Sequence, residues 1–373
     1  MQNILIYRNQ LFKTSETFIT NQAQSLKNYK PIYIGRKQFN KPPINSLVIS
    51  MDNKSLIENI KYILFRDISY FYKNSKELNP KLIHAHFGVE GVYAIRLAKR
   101  LNIPLVTTFH GFDATVTSKS LLFSTKPAWL NYLFLKKELA KEGDLFICVS
   151  NFIRDKVIKM GFPKDKTITH YIGIDTNVKV NQNIQKPSYK VILHVARLVE
   201  KKGTKYLIEA FSNVYQEYKE VKLVIIGDGP LAPQLKQMVK DLNLKSEVVF
   251  LGALPHKEVL EWMQKADIFS LPSITAKNGD SEGLGMVFLE AALYNVPSVA
   301  TKHGGIPEVV LDKKTGLLVE EKNSKELANA LLTLLKDEKL RENLGDRANK
   351  MVKEKFDINK QTQKLEELYN KLL

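Results

Sequence analysis

Apolar runs of four to seven residues alternate with helix-length amphipathic stretches from one end of this chain to the other. No other feature limits the fold as much. Strands covered on both faces read as continuous Val/Ile/Leu runs, and a parallel neighbour is reached only through a crossover, usually a helix. The predicted class is α/β, with doubly wound parallel sheets. Predicted strands of the first half centre near Ile4, Ile32, Val48, Ile83, Val106 and Phe146; those of the second half cover 191–196, 223–226, 248–250, 268–271, 298–300 and 316–319. With 373 residues and about 150 per domain, two such domains are expected. They are placed at 1–178 and 190–356, joined by a polar linker at 179–189 that contains Pro187. A final helix at 357–373 carries Leu365, Leu368, Tyr369 and Leu372 at helical spacing and is expected to dock back onto the first domain.

Several classes are set aside at once. The longest stretch free of Asp, Glu, Lys and Arg is the 12 residues 101–112, short of the roughly 20 that a spanning helix needs. The apolar run before Arg8 is too short for a signal peptide and reads as a first strand. The lone Cys148 excludes an internal disulfide or a multi-cysteine metal site and fits a reducing cytoplasm. No Gly-x-Gly-x-x-Gly follows a strand, and no P-loop pattern occurs, which argues against a nicotinamide enzyme.

The net charge of +17 calls for a nucleic acid, an anionic surface or an acidic ligand as partner. Residues 1–180 carry 27 of the 56 basic and 13 of the 39 acidic side chains, net +14, against +3 for the remainder. With no zinc-finger spacing, RNP-like strand or basic zipper, no nucleic-acid partner is expected. Two segments of this half, 55–73 and 126–137, interleave Lys and Arg with Tyr62, Phe65, Trp129, Tyr132 and Phe134 and read as amphipathic helices. Such helices can lie in the headgroup layer of an anionic membrane, or simply pack on a sheet with solvated lysines.

The most informative segment is 278–297, which follows a predicted strand and contains Glu282, Gly283, Leu284, Gly285 and Glu290. Its glycines permit close backbone approach to a ligand where a helix begins, and the free N–H groups and dipole of that end attract an anion. Carboxylates that accept hydroxyl hydrogen bonds suit a sugar or ribose. A plain helix start with a surface glutamate is the competing explanation. Directly after the second half's first strand come Arg197 and Lys202, at the same sheet edge; a guanidinium fork and an ammonium together suit a diphosphate.

This pair of motifs resembles the family-4 retaining glycosyltransferases of the GT-B fold, in which two Rossmann-like domains face each other across a cleft. Glu282 and Glu290 have the spacing of that family's Glu-x7-Glu motif, and Ile226-Gly-Asp-Gly-Pro230, Phe250-Leu-Gly252, Leu271-Pro-Ser273 and His303-Gly-Gly-Ile-Pro-Glu308 match further pieces. In the first half, Val149-Ser-Asn151 and Tyr171-Ile-Gly-Ile-Asp175 also match. Three features, Ser15-Glu-Thr-Phe18, His84-Ala-His86-Phe-Gly88 and Phe109-His110-Gly-Phe-Asp113, are similar to those of bacterial exopolysaccharide and lipopolysaccharide transferases.

The resemblance implies a nucleotide-sugar donor, UDP- or GDP-linked, and a glycan or lipid-linked glycan acceptor. Arg197 and Lys202 would hold the donor diphosphate, with Gly283, Leu284, Gly285 and Glu290 around the donor, and Glu282 would act on its sugar. It implies that His110 lies beside the anomeric carbon, its backbone carbonyl supporting positive charge there, and it puts Ser15, Glu16, His84, His86 and Asp113 on the acceptor side. No Asp-x-Asp occurs and no third ligand joins the histidine pair, so neither a metal nor another cofactor is expected. Two departures stand out: Arg8-Asn-Gln-Leu-Phe12 replaces a frequent Gly-Gly loop, and Ala196 precedes Arg197 where glycine is frequent. A phosphorylase, a nucleotide-sugar epimerase and an inactive partner subunit of the same fold stay open as alternatives. The expected location is the cytoplasm, peripheral on the inner face of the cell membrane.

Overall fold

Every predicted apolar run becomes a strand, and every strand pairing among the described residues is parallel. The computed structural model describes residues 1–178 and 183–373. Its chain divides into two units, Met1–Gly173 with Ile358–Leu373, and Ile174–Asp357. The division falls at Gly173, upstream of the 179–189 linker, of which 179–182 lie outside the described residues.

The first unit contains β1 (Gln2–Tyr7), β2 (Gln10–Leu11), β3 (Tyr29–Gly35), β4 (Lys37–Gln38), β5 (Leu47–Ser50), β6 (Ile83–His86), β7 (Leu105–Phe109), β8 (Leu145–Cys148) and β9 (Thr167–Thr169). Seven of them form a sheet in the order β5-β3-β1-β6-β7-β8-β9, while β2 and β4 pair separately. The edge strand β9 escapes a sequence reading because Thr-Ile-Thr has no apolar run. The second unit contains β10 (Lys190–Val195), β11 (Val221–Ile226), β12 (Val248–Gly252), β13 (Ile268–Leu271), β14 (Ser298–Thr301) and β15 (Gly316–Val319), ordered β12-β11-β10-β13-β14-β15. Strand order reverses between β1 and β6 in one sheet and between β10 and β13 in the other. Loops leaving the carboxyl ends of such a pair diverge to opposite faces and open a crevice, where ligands of doubly wound sheets bind.

The C-terminal helix Ile358–Asn370 belongs to the first unit's core, where Leu365 and Tyr369 pack with Ile4, Ile6, Tyr29 and Tyr33. Burying each such large side chain contributes about 2 kcal/mol. Its Glu366 caps the turn before β3, accepting from the Lys27 and Asn28 backbone N–H groups at 2.7 and 2.8 Å and from Asn28 Nδ2 at 2.7 Å.

The two aromatic segments differ from a single lipid-facing design. Residues 55–73 form two helices, Leu56–Phe65, opened by a Ser55/Glu58 capping box, and Ser69–Ser75. The break comes at left-handed Arg66, whose guanidinium turns inward to the Val92 carbonyl and Glu138. Tyr62 and Tyr132 are buried, so they cannot meet a membrane, whereas Phe65 and Phe134 are exposed. Leu56, Ile57, Ile60 and Leu64 join Phe65 in lying open to solvent.

Candidate functional site

In the second unit the loop after β10 and the loop after β13 are laced together at the crevice. Ile274 N–H donates to the Lys201 carbonyl at 2.8 Å and Lys277 N–H to Glu200 Oε2 at 3.2 Å. Lys201 Nζ lies 3.0 Å from Asp280 Oδ1, and Lys202 Nζ lies 2.5 Å from Glu282 Oε2. So close a seam needs a glycine: Gly203 has φ +64°, and a Cβ there would sit 1.9 Å from the Pro272 carbonyl oxygen. Burial pushes the Glu282 carboxyl up, but Lys202, with Lys201 behind it, outweighs that and holds the group at about 2. Ser273 Oγ adds a weaker donor at 3.4 Å. Gly283, Leu284 and Gly285 are buried, and the helix Met286–Leu293 begins at Gly285 without a side-chain cap.

Arg197 stands exposed on the loop after β10. Glu290, in the second turn of the helix, is partly buried and accepts from His256 Nε2 at 3.0 Å; this bond raises the pKa of His256. The edge thus supplies three cations, two of them salt-bridged to carboxylates of the facing loop, and a helix start, which together can take a diphosphate with a polyhydroxylated group attached.

In the first unit the crevice between β1 and β6 holds Arg8. Glu16 grips it through two bonds of 2.8 Å, Glu90 takes its third side, and the guanidinium lies 4.4 Å over the Phe87 ring. Arg8 is therefore no free cation. Burial raises the Glu90 pKa against the pull of Arg8, and its Oε2 has no hydrogen-bond partner among the described residues. Phe87 and Phe18 flank the His110 ring at 4.5 and 5.0 Å, so the segments around Glu16, His86 and His110 meet at one place. His86 Nδ1 lies 3.0 Å from His110 Nε2, and burial holds both imidazoles far below their ordinary range.

Some expected acceptor-side residues do other work. His84 is buried with both ring nitrogens occupied, Nδ1 by Tyr369 Oη of the C-terminal helix and Nε2 by Thr108 Oγ1, each at 2.6 Å. Asp113 is buried and accepts from the N–H groups of Gly88, His110 and Gly111 at 2.9, 3.1 and 2.9 Å. It ties the loop after β6 to the loop after β7, and burial lifts its pKa to about 6 against those donors. Ser15 is exposed. Sequence reasoning misses Arg8 and Glu90 as a clamp, Lys201 with Asp280, and His256, because these pairs join residues far apart in the chain. The signal for Glu90 is an acid in the first turn of the helix that follows Phe87.

A family model described as Glycosyl transferases group 1 matches residues 175–351, and one described as Glycosyltransferase Family 4 matches residues 46–178. The amylovoran biosynthesis glycosyltransferase AmsK of Erwinia amylovora is 34% identical over 71% of this chain and 64% of its own length, so this chain spans under two thirds of that relative. An uncharacterized glycosyltransferase of Methanocaldococcus jannaschii is 31% identical over 85% of both chains. Among solved structures, HepE of Anabaena in complex with UDP superposes with a TM-score of 0.80 over 100% of both chains at 21% identity, a likeness of fold. The two crossed-over parallel sheets and these matches identify the chain as a member of the family-4 glycosyltransferases, with the GT-B fold.

Proposed function

We propose that this chain is a retaining glycosyltransferase that moves a sugar from a UDP- or GDP-sugar to a lipid-linked oligosaccharide during surface polysaccharide biosynthesis. The observation that carries the reading is the Lys202–Glu282 pair at the β10/β13 crevice, beside Arg197 and an uncapped helix start. A diphosphate entering that edge gives Lys202 a second anion, freeing the Glu282 carboxylate to accept sugar hydroxyls. Fixed cations then stabilise the charge that develops on the leaving diphosphate. Glu290, in the second turn of the same helix, is the ribose ligand in this reading, and the family resemblance gives the backbone carbonyl of His110 the task of supporting positive charge at the anomeric carbon. AmsK's role in amylovoran biosynthesis supports an exopolysaccharide as product, and the UDP and UDP-glucose complexes of HepE support the donor class.

Charge neutralisation by Arg197, Lys202 and the helix end makes the reaction independent of metal. Transfer is expected to survive excess EDTA, and a strict need for manganese or magnesium would contradict this. The reading is tested by incubating the pure protein with a panel of UDP-, GDP- and ADP-sugars and following slow hydrolysis together with the anomeric configuration released. Release of nucleoside diphosphate and the retained anomer is expected. Phosphate-dependent release of sugar 1-phosphate would favour a phosphorylase instead.

The acceptor side is proposed to work at an anionic membrane, on the inner face of the cell membrane. Among the described residues no helix is long and apolar enough to cross one. The exposed face of Leu56–Phe65, with Phe134 and the lysines nearby in sequence, is suited to lie in the headgroup layer, and the excess of +14 supplies attraction.

A further inference from the structure

His303 and Glu321 sit on the loops after β14 and β15, outside the two loops that carry the donor-side residues, and their geometry has one chemical consequence. The backbone N–H of Glu282 donates to His303 Nε2 at 3.1 Å. A backbone N–H can only donate, so Nε2 carries no proton, and the ring proton sits on Nδ1. That nitrogen lies 2.6 Å from Glu321 Oε1, which receives it. Glu321 is itself fixed by Thr275, whose N–H donates to Oε2 at 2.8 Å and whose hydroxyl donates to Oε1 at 3.3 Å. Thr275 and Glu282 belong to the same loop, so Glu321 holds one end directly and the other through the imidazole.

The other side of Glu282 is fixed too. Gly305 N–H donates to its carbonyl at 3.1 Å, and Gly304, at φ +57°, lies so close that a Cβ would come within 2.2 Å of that oxygen. His303 is buried. The backbone of Glu282 is therefore clamped at both its donor and its acceptor, while its side chain ends on Lys202.

We propose that His303 and Glu321 are positioning residues for the glycosyl transfer: Glu321 fixes the Nδ1–H tautomer of His303, and that tautomer alone accepts from Glu282 and sets its carboxylate against the donor sugar. This rests on the donor-site reading above. A carboxylate that must exchange a lysine for a sugar hydroxyl has to do so by side-chain rotation about a fixed backbone, because misplacement by about 1 Å can cost on the order of 100-fold in rate.

Two measurements on the full chain test it. The first is tautomer determination by 15N NMR of histidine-labelled protein at pH 7.5, with H303Q giving the assignment. A protonated Nδ1 and bare Nε2 at His303, lost in E321A, is expected; an Nε2–H ring or an imidazolium would overturn the proposal whatever the protein's substrate. The second compares donor hydrolysis with UDP and GDP binding in H303A, H303Q and the parent, using whichever sugar of the panel the parent turns over. H303A should lose about 10- to 100-fold in kcat with nucleotide Kd within twofold. H303Q puts an amide oxygen where Nε2 lies and should recover most of the loss. Parent-like kcat in H303A, or equal losses in H303A and H303Q, would overturn the proposal. A parent that hydrolyses no nucleotide sugar and binds neither nucleotide would instead sink the donor-site reading, with the tautomer still decided by NMR.

Discussion

Arg197 and Lys202 reach the same sheet edge in different electrostatic states, and their substitutions should separate accordingly. Arg197 is exposed, so R197A is expected to leave the thermal midpoint unchanged while lowering turnover on the order of 10² to 10³, the scale of one lost preorganised contact. Lys202 is bonded to a buried carboxylate, so K202A should lose turnover and also about 3 kcal/mol of stability, the scale of breaking a buried pair. Thermal unfolding beside donor hydrolysis checks both. The pH dependence has a definite sign. Glu282 is held at about 2 against 4.5 for a free glutamate, so its stabilising contribution is full above pH 4.5 and is lost as pH falls from there toward 2. Denaturant titrations of wild type and E282Q should therefore converge across that window, and a constant gap would show that Glu282 is not so held. Glu282, Arg197 and Lys202 are proposed from the sequence because each sits near a strand end or a glycine that marks a ligand loop, and Glu290 because of its spacing from Glu282. Their pairing is not, since Lys202 and Glu282 lie 80 positions apart and only the crossover between β10 and β13 brings them together.

At the scale of elements, the C-terminal helix is the clearest case of a helix whose docking is written in its spacing. Leu365 and Tyr369 form a buried stripe, but the polar contacts that fix it, Glu366 on Lys27 and Asn28 and Tyr369 on His84, join it to positions far away in the chain that periodicity cannot see. Y369F keeps the ring and removes the hydroxyl from a buried imidazole, so a loss of about 1 to 3 kcal/mol is expected in denaturant titration. The aromatic and basic pattern of 55–73 allows Tyr62 either to meet lipid or to pack inward, and the structure turns Tyr62 inward to Tyr7 and Asn9 while exposing aliphatic residues of Leu56–Phe65. Amphipathicity alone does not say which face of a helix meets a sheet. I57E with F65E is expected to weaken binding to anionic liposomes without altering hydrolysis of a soluble donor, and the residual binding should fall as salt rises. Equal sedimentation of the variant and the parent would remove this helix from the membrane surface.

For the whole molecule, the division of labour follows from charge and topology together. Both sheets reverse strand order once, and at each reversal the structure gathers the polar residues: a clamped Arg8 with two carboxylates in one unit, a lysine and glutamate seam in the other. The basic excess lies in the unit that holds the proposed acceptor side, while the unit that carries the donor-side residues is near neutrality. The central claim is that the β10/β13 edge is the diphosphate site of a sugar transferase, and the most direct measurement is nucleoside diphosphate binding by calorimetry in the wild type and in R197A. Saturable binding of UDP or GDP in the wild type, weakened at least tenfold in a fully folded R197A, is predicted; equal binding by both proteins, or none by either, would contradict it.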